Sequence, residues 1–440
     1  MTVGRTTMHD LNHWEHLEAD AVLAAAVRLA DGGPLVVYQA GTTTRHAIGA
    51  RAELRLSAEL LTTSWSEPVT GPVLGDVAAA LDACPFPLWR AFGWARFELA
   101  LHRAGMPTGL PGTEPLLHLV LPEVELVTGS AEGPVTVLAS SPQRAAEARA
   151  VLSAAVPAVP AATGESTTAA DLLAGAHAYR DAVAQAVDDI RKTLLDKVIL
   201  SREVPLAGNP DLVGTFRRGR AAVASARAFH LDLGGWAATG FSPETVVEVG
   251  ADGRVSTQPL AGTRALGLGR ARDEANRAEL LSDLKEIAEH ATSVRLAVEE
   301  AEALCAPGTV RVEEFMRVLP RGAVQHLASR VAGELAAGRG PWDAFGAFFP
   351  AVTASGIPKA EAYEALTRLE STPRGLYSGA VIVADHTGAL DAALVLRTVF
   401  THEGRSWLRA GAGVVEASRP DRELEETCEK LGSVAPHLTY

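Results

Sequence analysis

Three cysteines in 440 residues, Cys84, Cys305 and Cys428, are too few and too far apart for a disulfide framework, and none sits in a Cys-x-x-Cys pair. That pattern fits a reducing compartment. No run reaches the roughly 18–20 apolar residues that a membrane helix needs. The segment Met1–Asp20, with His9, His13 and His16 among several acids, lacks the apolar core of a signal peptide. A soluble, cytoplasmic protein is expected. Clusters of positive charge are missing too: 40 Lys and Arg stand against 53 Asp and Glu, a net −13. With no basic stretch to meet phosphates, a general nucleic-acid binder is excluded. There is no internal repeat of fixed period. What remains, 47% apolar and 21% charged residues, is the balance of an ordinary globular protein with a large core.

Length alone suggests two or three domains of roughly 150 residues. The one candidate divide is Val151–Ala170 (VLSAAVPAVPAATGESTTAA), where Pro157 and Pro160 interrupt any helix. It reads equally as a linker or as a long loop inside one fold. It separates residues 1–165, which carry no constellation tied to chemistry, from residues 166–440, where the signals sharpen. In the first part, Pro34–Gln39, Leu116–Val127 and Pro134–Ser140 read as strands and Pro142–Ala154 as a helix. In the second, Leu173, Ala176, Tyr179, Val183, Val187 and Ile190 recur at helical steps, which predicts an amphipathic helix within Ala170–Leu195. Lys197–Pro205 reads as a strand, and Thr245–Gln258 as a hairpin turning at Ala251-Asp252-Gly253. Asn276–Cys305, free of Gly and Pro, reads as one long helix. Ser378–Ala384 and Leu390–Thr401 read as a hairpin, Ser406–Glu416 as a strand and Pro420–Val434 as a closing helix. Mostly hairpin-linked strands alternating with helices predict antiparallel sheets with helices outside.

Four groups of residues could carry chemistry. Glu286 and Glu289 lie three apart on one helix (LKEIAEH), and Glu423 and Glu426 lie three apart on another (DRELEET), so each pair shares a helix face. Two such helices could enclose a hard cation such as Mg²⁺, which takes oxygen ligands; taken alone, such pairs are commonly solvated, and Glu425 and Glu429 add to that reading. Ala261-Gly262-Thr263 and Gly411-Ala412-Gly413 could let a ligand carboxylate approach the main chain. Lys197 could act as a base if its amine lost its proton, and Glu244 as an acid if burial raised its carboxyl. Arg397, Tyr377 and Lys430 could hold an anion, arginine by its planar fork.

Together these segments resemble the chorismate-utilising enzymes, a family that includes the anthranilate synthase large subunit, aminodeoxychorismate synthase, isochorismate synthase and salicylate synthase. They stand in family order: DKVILSREV (196–204), GFSPETVVEV (240–249), PLAGTRALG (259–267), LKEIAEH (284–290), VQHLAS (324–329), FFPAVTASGIPKAEA (348–362), PRGLYSGAV (373–381), LDAALVLRT (390–398) and RAGAGVVEASRPDRELEETCEKL (409–431). The resemblance implies an α/β fold of the α+β type, like anthranilate synthase component I: a single large unit with two antiparallel sheets packed together and helices outside. It implies Mg²⁺ held directly by Glu289 and Glu426, with Glu286 and Glu423 behind them or acting through water. It also implies Arg397 and Tyr377 as a clamp for the enolpyruvyl carboxylate, and Gly262, Thr263, Gly411, Gly413 and Lys430 around the substrate carboxylates.

Two positions discriminate within the family. Members that add water at C2 of chorismate carry lysine where this chain has Lys197, whereas anthranilate-forming members typically carry glutamine. Aminodeoxychorismate synthases commonly place a nucleophilic lysine where this chain has Ala261. The resemblance thus implies water as nucleophile, Lys197 as base and Glu244 as the acid that protonates the departing C4 hydroxyl. It is strongest to siderophore-type salicylate synthases, the mycobactin type included, which go on to eliminate pyruvate; His326 and Thr353 are then candidate wall residues. Gln258 departs from the glutamate expected in mycobactin-type sequences. The alternatives are an isochorismate synthase that stops before pyruvate loss, an anthranilate synthase component I, and a non-catalytic chorismate-binding protein. Chorismate is the expected partner, with no amidotransferase subunit, no nucleic acid and no membrane, and the chain is expected to work as a monomer.

Overall fold

The computed structural model describes residues 9–10, 14–129, 132–154, 171–192, 195–322 and 324–440. Their strands form two twelve-stranded sheets in which every pairing is antiparallel. Large apolar side chains of both sheets meet between them: Phe229, Phe400 and Trp236 from one, Phe92, Trp94 and Val381 from the other. Helices cover the outer faces, among them Ala19–Ala30 and Pro142–Ser153 on one sheet. The expected layering follows from strands that are buried along nearly their whole length, such as Leu117–Leu121 and Ala380–Asp385, so that each sheet has two faces to cover. No helix among the described residues is long and apolar enough to cross a membrane.

Strands from before and after the 155–170 stretch share both sheets. Leu35–Ala40 pairs with Arg227–Leu233, and Arg90–Ala95 pairs with Ala380–Asp385. Val151–Ser153 finish the Pro142–Ser153 helix, and residues 155–170 of the candidate divide lie outside the described residues. Pro122 splits Leu116–Val127 into Leu117–Leu121 and Val124–Thr128, one strand for each sheet.

Three further expectations need correction. The amphipathic helix is Ala176–Ile190, and Leu173 precedes it in a short 3₁₀ turn with half its surface exposed. The long helix is two, Arg270–Ser282 and Leu284–Glu302, broken at Asp283. Periodicity misses the break because neither Gly nor Pro marks it; the Asp283 carboxylate makes it, accepting from the backbone N–H of Lys285 (2.9 Å) and Glu286 (3.3 Å) as an N-cap. The apolar stretch Leu390–Thr401 is also two strands, Leu390–Leu394 and Thr398–His402, in different sheets. Between them Arg397 adopts a left-handed backbone, φ 52°, which for a non-glycine residue costs about 1–3 kcal/mol.

One buried ion network joins the segments that carry the glycine and lysine motifs. The Glu370 carboxylate receives Arg374 (2.7 and 2.8 Å), Arg409 (2.8 Å) and both the N–H and hydroxyl of Ser201 (2.8 Å each). Burial opposes its charge, but Arg374 and Arg409 outweigh it and hold the carboxyl below its ordinary value. Glu98, from the N-terminal part, accepts the backbone N–H groups of Arg374 (2.7 Å) and Gly375 (3.1 Å). Glu370→Ala strands two buried guanidinium groups and is expected to cost about 3–5 kcal/mol, read as a lower urea midpoint. Asp283→Ala, a cap loss, should cost about 1 kcal/mol.

Candidate active site

Strand Lys197–Pro205 lies beside Arg405–Val414, with Ile199 opposite Gly413 and Ser201 opposite Gly411. Side chains alternate along a strand, so Lys197, Ile199 and Ser201 share a face with Gly413, Gly411 and Arg409. The glycines clear that face. A Cβ on Gly413 would stand 3.0 Å from Lys197 Cε and 3.3 Å from Glu289 Oε1; one on Gly411 would stand 2.6 Å from the Leu200 carbonyl and 2.9 Å from the Tyr377 hydroxyl. Their role here is space for these side chains, and the Gly411 carbonyl accepts from Lys430 Nζ at 2.8 Å. On the other sheet Gly262 (φ 72°) occupies a bulge between Ala261 and Thr263, which re-aims the strand.

These faces enclose one cavity, lined by Lys197, Glu244, Thr353, Tyr377, Arg397 and Lys430, with Gly262, Thr263, His326, Gly411 and Gly413 also on its wall. Burial pushes the Glu244 carboxyl up to about 8, against hydrogen bonds from Thr353 and the Leu260 backbone and the pull of Lys197 and Arg397. Thr353, expected only as a wall, donates to Glu244 Oε1 at 2.7 Å. Lys197 is buried and donates to Glu289 Oε1 at 2.6 Å.

Arg397 is buried, with no carboxylate within 4 Å among the described residues; it donates to the Arg321 carbonyl (3.0 Å) and to His326 Nε2 (2.6 Å). Burial and the neighbouring Arg321 draw it down to about 10, so it remains a cation at neutral pH. Burial, with Arg397 and Lys430 close by, holds His326 well below its ordinary value and therefore neutral. Its Nδ1 faces the Gly262 carbonyl (3.2 Å) and the Thr263 hydroxyl (3.0 Å), which assigns the proton to Nδ1 and leaves Nε2 to accept from Arg397. His326 is thus a fully partnered histidine that also lines the cavity.

Glu286, Glu289 and Glu426 face a polar recess that shares Gly262, Thr263, Glu289, Gly413 and Glu426 with the cavity, and Glu423 lies buried behind it, close enough to act on Lys285 and Glu426. Burial and Glu289 raise the Glu286 carboxyl; burial and Glu426 raise that of Glu423. Burial would lower the Lys285 ammonium, but Glu286, Glu423, Glu289 and Glu426 together outweigh it and raise it. All four acids therefore converge on one region, as a cation site requires. No trio of His, Cys, Asp or Glu among the described residues is already drawn together around a metal position. Bare carboxylates repel, and two of them take lysines instead: Glu289 pairs with Lys197, and Glu426 with Lys430 at 2.8 Å. The donor set, all oxygen and mutually repelling, fits a hard divalent cation. Glu425 and Glu429 are exposed and pair with Arg422, the solvated face expected of them.

Reading the sequence missed the Glu370, Arg374, Arg409 and Ser201 network and Lys285. The spacing of Glu370 and Arg374 was visible, but Pro373 between them argues against a shared helix.

The sequence pattern of the chorismate binding enzyme family matches residues 34–436. The chain is 42% identical over 438 residues to salicylate synthase of Mycolicibacterium paratuberculosis, covering 97% of this chain and 94% of that one. It is 42% identical over 261 residues to an anthranilate synthase component 1 of Halobacterium salinarum, covering 58% and 49%. Its fold matches the crystal structure of anthranilate synthase component I from Streptococcus pneumoniae with a TM-score of 0.74 at 25% identity, covering 90% and 92%. It also matches the menaquinone-specific isochorismate synthase from Escherichia coli with a TM-score of 0.74 at 19% identity, covering 98% and 94%. The chain belongs to the chorismate binding enzyme family.

The raised Glu244 carboxyl has a stability consequence. Between about pH 4.5 and 8 the folded protein keeps a proton that the unfolded chain has released, so this group lowers stability as pH rises through that window. Glu244→Gln should remove the penalty: its Tm relative to wild type is expected to climb from about pH 5 to about pH 9, and parallel curves would contradict the assignment.

Proposed function

We propose that the protein is a salicylate synthase: it converts chorismate to isochorismate by adding water at C2 with loss of the C4 hydroxyl, then eliminates pyruvate. The observation that carries this reading is one cavity presenting a carboxyl held neutral near pH 7, Glu244, and an amine, Lys197, beside a buried guanidinium with no carboxylate of its own, Arg397. An uncompensated buried cation is costly, and a ligand carboxylate on Arg397 with the Tyr377 hydroxyl would offset it. The likeness to a salicylate synthase over nearly the whole chain supports the same reading. Residues 166–440 supply these groups, and the described strands of residues 1–165 complete the sheets around them.

In this reading Lys197 removes a proton from water as its oxygen bonds to C2, and Glu244 gives its proton to the C4 hydroxyl, which leaves as water while the ring double bonds shift. The two groups need opposite protonation states, the mark of an acid–base pair. Lys197 donates to Glu289 here, so acting as base requires giving up that bond. Mg²⁺ would be held by Glu289 and Glu426, with Glu286 and Glu423 behind them, and when bound it supplies positive charge that neutralises and orients the ring carboxylate. Thr353 fixes the acid, and Gly262, Thr263, Gly411, Gly413 and Lys430 shape the wall around the carboxylates. Pyruvate loss moves hydrogen from C2 to the enolpyruvyl group within the substrate. His326, neutral with both ring nitrogens engaged, contributes shape rather than a base. Water as nucleophile needs no amidotransferase, and a monomer suffices.

Incubation with chorismate and Mg²⁺ should yield salicylate fluorescence and stoichiometric pyruvate. Isochorismate without pyruvate would favour an isochorismate synthase, and anthranilate made from ammonia would overturn the role of Lys197. Lys197→Ala should abolish water addition, and Glu426→Gln should raise the Mg²⁺ concentration needed for half-maximal rate. The rate should fall as pH rises through about 8, where Glu244 loses its proton.

A further inference from the structure

We propose that Arg321 is a positioning residue that fixes Glu244 through the peptide preceding it and Arg397 through its own carbonyl. The inference rests on the reaction proposed above. Arg321 ends strand Arg311–Arg321, at the turn into Val324–Glu334. Its Nε donates to the Pro243 carbonyl at 3.0 Å, and its backbone carbonyl accepts from Arg397 Nη1 at 3.0 Å. Its remaining side-chain partners are long or local: Gln258 Oε1 at 3.4 Å and the adjacent Pro320 carbonyl at 3.1 Å. No carboxylate lies within 4 Å of it among the described residues, although Arg227, close enough to act on its charge, reaches both Asp391 and Glu248.

A half-buried arginine without an acid is costly unless its donors are used. Here the charge-assisted bond falls on Pro243, whose carbonyl belongs to the peptide that leads into Glu244. On the other side, the Leu394 N–H donates to the Glu244 carbonyl at 3.1 Å, and the Ser242 hydroxyl, whose one proton is shared between this carbonyl (2.8 Å) and that of Leu394 (2.5 Å), lies against it. The backbone of the acid is therefore held before and behind, and Arg321 supplies the hold in front. The two contacts of Arg321 separate cleanly. The bond to Arg397 uses main chain and survives any side-chain substitution; the bond to Pro243 does not. Loss of the guanidinium should therefore disturb proton delivery and spare substrate binding.

The test compares Arg321→Met and Arg321→Lys with wild type for isochorismate formation from chorismate. Arg321→Met is expected to lower kcat about 10- to 100-fold with KM changed by less than about threefold. Arg321→Lys, whose ammonium can still donate to Pro243, should recover most of kcat. In a Glu244→Gln background, Arg321→Met should have little further effect on kcat, since the two act through one group. An unchanged kcat, a loss confined to KM, a lysine variant no better than methionine, or full additivity with Glu244→Gln would each overturn the proposal. If Arg321→Met does not fold, Gln258→Glu serves: its carboxylate competes with Pro243 for the guanidinium, so kcat should fall at an unaltered Tm, and an unchanged kcat overturns the proposal. Wild-type protein that does not turn over chorismate would overturn the functional reading and this inference together. Failure in the variants alone would leave the functional reading standing.

Discussion

Glu370 carries two arginines on one buried carboxylate: Arg409, which lines the cavity, and Arg374, three residues before the cavity-lining Tyr377. Arg374 opens the turn that delivers Tyr377, Arg409 lies two residues before Gly411, and Ser201 lies on the strand that begins at Lys197. A buried anion cannot be left unpaired without a large loss of stability, so these segments are bound to one point. Glu98 draws the N-terminal part of the chain into the same arrangement by capping the Arg374 and Gly375 N–H groups. The residues with no visible chemistry in the first 165 positions thus bear on the site through packing and hydrogen bonding.

Burial has three different outcomes within this small volume, and the partners decide each. Glu370 stays ionised because two guanidinium groups outweigh the loss of water. Glu244 meets no cation at contact distance among the described residues and is held neutral up to about 8. Arg397 keeps its charge at neutral pH with a neutral histidine and a carbonyl as its hydrogen-bond partners and no carboxylate at contact distance among the described residues. A protein interior tolerates such an imbalance poorly unless a ligand completes it. The four glutamates present the opposite imbalance, an excess of negative charge moderated by Lys197, Lys430 and Lys285. A dicarboxylate substrate and a divalent cation would answer both at once.

The breaks that periodicity failed to foresee fall at the site. The Asp283 cap ends one helix and starts another, and the second carries Glu286 in its first turn and Glu289 in its second. The left-handed Arg397 lets an apolar stretch leave one sheet and join the other, turning its guanidinium into the cavity between them. Neither event carries a Gly or Pro signal. Each depends on contacts made by residues distant in sequence: Arg264 bonds Asp283, and His326 and Arg321 bond Arg397. Gln258, the departure from the expected glutamate, leaves Arg321 facing an amide in place of an acid.

Local pattern alone settled the strand at Lys197–Pro205, a strand over Ser406–Glu416 that the fold runs from Arg405 to Val414, the hairpin around Asp252, the closing helix and the antiparallel class, because two- and three-to-four-residue apolar periods report directly on which face is buried. It also settled which residue types stand ready for acid, base and cation chemistry, since those are covalent properties of the side chains. Whether Glu244 is protonated, whether Arg397 has a counter-ion, and whether four glutamates on two helices meet were decided only in the folded chain. Those are properties of distance and solvent exclusion, and they are set by residues up to hundreds of positions away.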